Sequence, residues 1–290
     1  MNGSFAISTR NYQLNYRHSK MTKSSIDILL PYWGDFSLLK KTVESVLAQS
    51  DDRWQLFVFD DCYPSDEAQK YFASLQHERV SYFRHEKNIG ITNNFNYALK
   101  AATAEYCVLI GCDDIMLPNY VKAALENVGD ADFYQPGVEV IDKDDKIYLP
   151  LVDRIKRTLQ PKQSGPQGGE KLASSLCVGN WLYFPSITWK TATLQRYGFD
   201  PKYKIAEDLL LELSIIRDGG ILSYDKTVTF QYRRFANSLS SREKSKGGVR
   251  FNEEAEVYAK FVDEFRAIGW KKASLSAKLR ITSRLHEIVS

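Results

Sequence analysis

The chain has 290 residues, 43% hydrophobic, 26% charged and 13% aromatic, with a formal net charge of +3. That length buries a sizeable core as one large domain or two small ones, and so small a net charge gives no electrostatic footprint for nucleic acid. The four cysteines, Cys62, Cys107, Cys112 and Cys177, form no C-x-x-C and have no histidine at ligand spacing, so neither a structural zinc nor a disulfide framework is expected.

Residues 1–24 carry Arg10, Arg17, Lys20 and Lys23, no acid and no continuous apolar run. They are expected to be a disordered polar tail rather than a signal peptide, with Met21 a candidate start. No run of eighteen apolar residues follows, so no membrane span is expected.

From Ser25 two periodicities alternate. IDILL (26–30), WQLFVF (54–59), VSYF (80–83) and YCVLI (106–110) are apolar runs of strand length. FSLLKKTVESVLAQ (36–49), DEAQKYFASLQ (66–76), TNNFNYALKAA (92–102) and NYVKAALENV (119–128) have helical spacing, the last behind Pro118. DFYQPGVEVI (132–141) reads as a further strand. The alternation predicts an α/β fold, a mostly parallel sheet flanked by helices.

Residues 142–169 are polar and rich in Lys, Gln, Gly and Pro, and are expected to form a mobile loop or insertion. Order resumes at NWLYFPSITWK (180–190). AEDLLLELSIIRDGG (206–220) predicts a helix with acids in its first turn and Gly219-Gly220 at its stop, and ILSYDKTVTFQYRR (221–234) a strand. EEAEVYAKFVDEFRAIGW (253–270) is an acidic amphipathic helix. KKASLSAKLRITSRLHEIVS (271–290) is a basic one, with Lys271, Lys272, Lys278, Arg280 and Arg284 against the single acid Glu287.

In a parallel sheet ligands bind outside the carboxyl ends of the strands. PYWGD (31–35) follows the first strand, Asp60-Asp61-Cys62 the second, RHEKNIG (84–90) the third and Asp113-Asp114 the fourth. Two acidic pairs and a basic Asn/Gly loop therefore converge on one rim. Adjacent carboxylates there suit a Mn²⁺ or Mg²⁺ ion shared with a substrate phosphate. The first pair suits a base N–H or a ribose hydroxyl. Each piece alone has a plainer reading: acids at a turn or a helix start, Asn88 and Gly90 as a turn, Arg233-Arg234 as a solvated strand end or structural ion pair. Trp181 is a candidate for lining an acceptor cleft, or is simply core.

Taken in order, LLPYWGDFSLLKKTVESVLAQ, FVFDDCYPSD and RHEKNIGITNNFNYALKAATAEYCVLIGCDDIMLP resemble the family-two inverting glycosyltransferases with a GT-A fold. The match covers the first half of the chain and continues more weakly through AEDLLLELSII and YRRFANSLS. The resemblance implies a Rossmann-like GT-A domain over residues 25–245 and C-terminal amphipathic helices over 246–290. It implies that Pro31 and Tyr32 line the nucleotide pocket, that Asp61 contacts base or ribose with Asp60 beside it, and that Asn88 and Gly90 precede the helix covering the nucleotide. Asp114 is then the metal ligand, with Asp113 touching ribose or sugar. Asp208 is implied as the base that takes the acceptor's proton, supported by Glu207, and Arg233 and Arg234 reach the diphosphate. A helix start would lower the Asp208 pKa. Trp33-Gly34 and Cys62-Tyr63 depart from the family's usual residues.

The implied activity is an inverting, metal-dependent hexosyl- or N-acetylhexosaminyl-transferase. It would move a sugar from a nucleotide-diphosphate donor, a UDP-sugar first among them, to a glycan or lipid-linked acceptor in bacterial surface-polysaccharide or lipopolysaccharide synthesis. The expected location is the cytoplasm or the inner membrane face, with the basic C-terminal helix as the membrane contact and no nucleic-acid partner. Two other readings stand beside it: a non-catalytic nucleotide-sugar-binding homologue, and a nucleotidyltransferase, for which the Gly-rich triphosphate loop after the first strand is missing.

Overall fold

The computed structural model describes residues 24–234 and 248–284. The expected polar tail through residue 23, the FANSLS segment and Glu287 lie outside the described residues.

β1 (Ile26–Tyr32) sits between β2 (Trp54–Asp60) and β4 (Tyr106–Leu109), parallel to both, and β3 (Val80–Arg84) pairs in parallel with β2. The helices between them are α1 (Phe36–Leu47), α2 (Glu67–Leu75) and α3 (Ile91–Ala101). After β4 come β5 (Ile115–Met116), α4 (Tyr120–Asn127) and β6 (Phe133–Ile141). α5 (Leu151–Leu159), β7 (Gly165–Gly168), α6 (Gly169–Val178), β8 (Thr188–Lys190) and α7 (Thr191–Tyr197) follow. α8 (Glu207–Arg217), β9 (Ile221–Arg233), α9 (Val249–Ala267) and α10 (Lys271–Leu279) complete the described chain.

The sheet runs β3-β2-β1-β4-β8-β6-β9-β5, with β7 on β9. It is parallel through its first four strands and again between β6 and β9, while β8, β5 and β7 join antiparallel. The expected α/β class, mostly parallel and flanked by helices, is what the chain adopts.

Strand side chains alternate between faces. Ile28, Leu30, Leu56, Val58 and Val108 face one core with α1 and α4, and Leu29, Phe57, Phe59, Cys107 and Leu109 face another with α3, α6 and α8. Phe261 and Phe265 of α9 and Ala273 and Ala277 of α10 are buried in that second core. The C-terminal helices are thus packed on the sheet domain. The four cysteines are free thiols, Cys107 and Cys177 buried.

The segment expected as a mobile loop, 142–169, is built differently. It holds α5, and β7 extends the sheet along β9. Most of its polar residues lie at or near the surface, but one of them, Asp153, is matched inside the fold. Asp153 is fully buried and accepts from Tyr183 Oη at 2.8 Å and Arg234 Nη2 at 3.1 Å.

Candidate functional site

The carboxyl ends of β1, β2 and β3 finish level, with Tyr32 opposite Asp60 and Asp60 opposite Arg84. β1 lies between strands reached in opposite directions, so the crevice between its end and that of β4 is the switch point where such sheets bind ligands. The two loops touch: a Cβ on Gly34 would stand 3.2 Å from Cys112 Sγ.

The chain leaves β4 in a tight turn, with the Asp114 N–H donating to Gly111 O at 3.3 Å. A Cβ on Gly111 would stand 2.5 Å from Asp114 Oδ2 and 3.1 Å from Asp113 Oδ1. Both carboxylates therefore converge on space that glycine keeps open. Asp114 is buried, and its Oδ1 accepts from the Arg233 N–H at 2.8 Å; Asp113 is the more open of the two. Burial pushes the Asp113 carboxyl up to about 6, against the pull of Arg233. Burial, with Asp113 beside it, holds Asp114 well above the usual carboxylate range. A crowded, oxygen-only pair of this kind fits Mn²⁺ or Mg²⁺, whose charge would relieve the repulsion. Among the described residues no three or more metal-ligating side chains cluster. The rest of a metal shell would have to come from substrate phosphate and water.

Arg233 is directed inward rather than toward the rim. Its Nε donates to Asp113 O and its Nη1 to Asp142 O, both at 2.7 Å, and its Nη2 lies 2.6 Å from Asp145 Oδ1. It braces the acidic turn. Arg234 Nε lies 2.9 Å from Asp153 Oδ2, which ties α5 to the end of β9.

The first acidic pair is also held by the protein. Asp60 is fully buried and accepts from Tyr82 Oη at 2.5 Å, Arg84 Nη1 at 2.6 Å and the Tyr63 N–H at 2.8 Å. Asp61 accepts from the Ile89 N–H at 2.7 Å and the Gly90 N–H at 2.9 Å, while Asn88 Nδ2 donates to its carbonyl at 3.2 Å. Asp61 thereby fixes the loop that enters α3. Gly90 takes φ +84 as it enters α3, a region that favours glycine. Pro31 and Tyr32 close β1, and the Tyr32 hydroxyl donates to Gly34 O at 3.0 Å. Tyr63 packs on both Tyr32 and Trp33, with ring centroids 5.4 and 5.3 Å away, and Trp33 is 50% exposed. This aromatic platform, formed by the residues that depart from the family pattern, was not anticipated from the sequence.

Glu207 and Asp208 open α8 and face different surroundings. Glu207 is buried and accepts from Thr92 Oγ1 at 2.7 Å, and burial pushes it up to about 8. Asp208 lines a cavity of about 120 Å³ with Lys156, Asn180, Arg250, Glu254 and Tyr258. Burial raises the Asp208 carboxyl, while the Leu209 N–H and Lys156 pull it down. The lowering expected from the helix start is overturned. Lys156 donates to Leu182 O at 2.7 Å, and burial pushes its ammonium down to about 8. One turn further along α8, Glu212 is fully buried and accepts from Asn180 Nδ2 at 2.8 Å. Trp181 does not line a cleft: it is fully buried, and its Nε1 donates to Ser175 Oγ at 3.0 Å. Lys156 escaped the sequence reading because it lies in the stretch taken as a loop. The one signal for it was the helical spacing of Val152, Ile155 and Leu159.

A family model described as glycosyl transferase family 2 matches residues 27–191. The putative colanic acid biosynthesis glycosyl transferase WcaA of Escherichia coli is 32% identical over 101 residues, 34% of this chain and 36% of that protein. The succinoglycan biosynthesis protein ExoO of Rhizobium meliloti is 21% identical over 218 residues, 74% of this chain and 62% of that protein. The match thus spans less than two thirds of either relative. Among solved structures, S. aureus TarS in complex with UDP-GlcNAc superposes with a TM-score of 0.67 at 15% identity, covering 89% of this chain and 73% of that one. The mannosyltransferase PcManGT from Pyrobaculum calidifontis, in complex with GDP-Man and Mn²⁺, gives 0.62 at 12% identity, covering 91% and 76%. At these identities the likeness is one of fold.

Proposed function

This chain belongs to glycosyl transferase family 2, and from that premise we propose that it moves a sugar from a nucleotide-diphosphate donor to an acceptor hydroxyl with inversion. The observation that carries the reading is the pair Asp113-Asp114, converging on the space Gly111 leaves open at the switch point of the sheet. A UDP-sugar is the first donor to test, since TarS is named in complex with UDP-GlcNAc. A hexosyl or N-acetylhexosaminyl unit is the expected cargo. The two biosynthetic relatives support a glycan or lipid-linked acceptor in surface-polysaccharide assembly, lipopolysaccharide included, at the cytoplasmic face of a membrane.

Each residue then has a part. Trp33 and Tyr63 offer faces for the base. Asp61 holds the 88–90 loop against the nucleoside, and its remaining lone pairs can accept from base or ribose. Asp114, with Asp113 beside it, would hold Mn²⁺ or Mg²⁺, which when bound supplies Lewis-acid neutralisation of the diphosphate. Arg233 keeps the acidic turn in place. Asp208 takes the acceptor's proton, and its raised pKa makes it a stronger base than a surface aspartate. The domain boundaries proposed are 25–245 for the transferase and 246–290 for the C-terminal helices.

UDP release from UDP-sugars, with Mn²⁺, tests the base. Asp208→Asn should lower the rate by about 10²–10⁴-fold and leave nucleotide affinity unchanged. Wild-type turnover in that variant would remove Asp208 from the role. A second reading, nucleotide-sugar binding without turnover, rests on the departures from the family pattern at Trp33-Gly34 and Cys62-Tyr63. It would be established by nucleotide binding in a wild-type protein that releases no UDP.

A further inference from the structure

We propose that the outer face of α10 is the surface by which this protein docks on an anionic lipid bilayer. The inference deepens the lipid-linked acceptor reading above, but it stands on the helix itself.

α10 is amphipathic in the reverse sense of a core helix. Its inward residues are small: Ala273, Ser274 and Ala277 are buried, with Ser274 Oγ donating to Val262 O of α9 at 2.8 Å. Its large apolar side chains point outward, Leu275 at 56% and Leu279 at 43% exposure. Folding alone would place leucine inside and alanine outside. At 3.6 residues per turn, Lys278, Lys271, Leu275, Leu279 and Lys272 fall in that order within an arc of roughly 120°. Two leucines are thus flanked on both sides by exposed lysines. Ile268 and Ile281, which flank α10 in the chain, are also 46% and 44% exposed.

Charge selects the partner. From Ile268 to Arg284 the chain has Lys271, Lys272, Lys278, Arg280 and Arg284 and no acid. Acids that contact or border this stretch have other partners: Glu170 accepts from the α10 backbone at Lys272, Glu254 from Ser283 Oγ and Arg250, and Asp263 pairs with Arg266. A nucleic-acid backbone would satisfy the lysines and leave the leucines in water. A bilayer satisfies both, because leucine enters the acyl boundary while lysine stems lie along it with their ammonium groups at lipid phosphate. The position is also useful. The turn after α10 brings Thr282 and Ser283 to the wall of the Asp208 cavity, so α10 leads directly into the acceptor side of the proposed site.

The test is flotation of the whole chain with vesicles of phosphatidylcholine alone or with phosphatidylglycerol added. Wild type should float with the anionic vesicles and stay behind with the neutral ones. Lys271→Glu/Lys272→Glu/Lys278→Glu should lower partitioning roughly hundredfold, and Leu275→Ser/Leu279→Ser about tenfold or more. Both variants should keep the wild-type melting temperature and donor hydrolysis. Absence of binding to anionic vesicles would overturn the proposal. So would wild-type binding by either variant, or binding abolished by competing RNA and indifferent to the leucines. Flotation needs no turnover, so failure of the transferase reading would leave this result standing, and the reverse.

Discussion

Asp208 stands where two effects on a carboxyl oppose each other. A helix start favours the ionised form by about 0.3–1 kcal/mol, less than one pKa unit. Burial can raise a carboxyl by roughly 3–5 units. Burial wins, and the group is drawn toward the pH where a base is most useful. Glu207, its neighbour, is the better case for a pH test. Its folded value of about 8 lies above its ordinary 4.5, so the folded state binds the proton more tightly. Its contribution to stability is complete below about 4.5 and is lost as pH rises through about 8. Urea unfolding from pH 5 to 8.5 should therefore show wild type losing stability relative to Glu207→Gln, and a difference independent of pH would refute the assignment. Gly111 makes a second residue-scale prediction. In Gly111→Ala the new methyl must displace the Asp114 carboxylate, because the added Cβ would lie 2.5 Å from Oδ2. The variant should fold, with a melting temperature lowered by about 2–4 °C or less, and lose Mn²⁺-dependent nucleotide binding; retained binding would remove the cradle from the account. The rim acids were legible in the sequence because local period alone fixes where each strand ends and so which residues reach the rim. The inward turn of Arg233 was not, since its partners Asp113, Asp142 and Asp145 are 88 or more residues away.

Among the elements, α8 depends on α9. The backbone N–H groups of Lys204, Ile205 and Ala206 all donate to Glu253, the last two to Oε2 at 2.9 and 3.1 Å. A carboxylate from the C-terminal helix thus anchors the loop that leads into the helix carrying Asp208. Glu253→Ala should cost about 1 kcal/mol in urea unfolding, as loss of hydrogen bonds to the backbone does. It should also reduce UDP release by more than it reduces nucleotide binding, because the loosened end is the one bearing Asp208. Equal losses in both would make this anchor merely structural. The strands and most helices were readable from period alone, β1 to β4 nearly to their ends. α5 and β7 were not. α5 has charged residues at positions that become buried only when Arg234, Tyr183 and the Asp208 cavity close around them. Composition cannot separate that arrangement from a solvated loop.

At the scale of the molecule, one core joins residues from Leu29 to Ala277. The transferase half and the C-terminal helices share it, so removing α9 and α10 would uncover α6 and α8, on which they pack. The donor side of the account rests on the parallel half of the sheet, the acceptor side on α5, α8 and α9, and the acidic turn of Asp113-Asp114 lies between the parallel and antiparallel parts. The most direct test of that centre is the thermal stability of wild type and Asp114→Ala with UDP, GDP, dTDP and CMP, each with and without Mn²⁺. A ligand that binds only the folded state raises its stability by about 2.7 kcal/mol at a hundredfold excess over Kd. The account predicts a Mn²⁺-dependent rise for one nucleotide, UDP first among them, that disappears in Asp114→Ala. No rise in wild type for any nucleotide with metal present, or an equal rise in the variant, would contradict it.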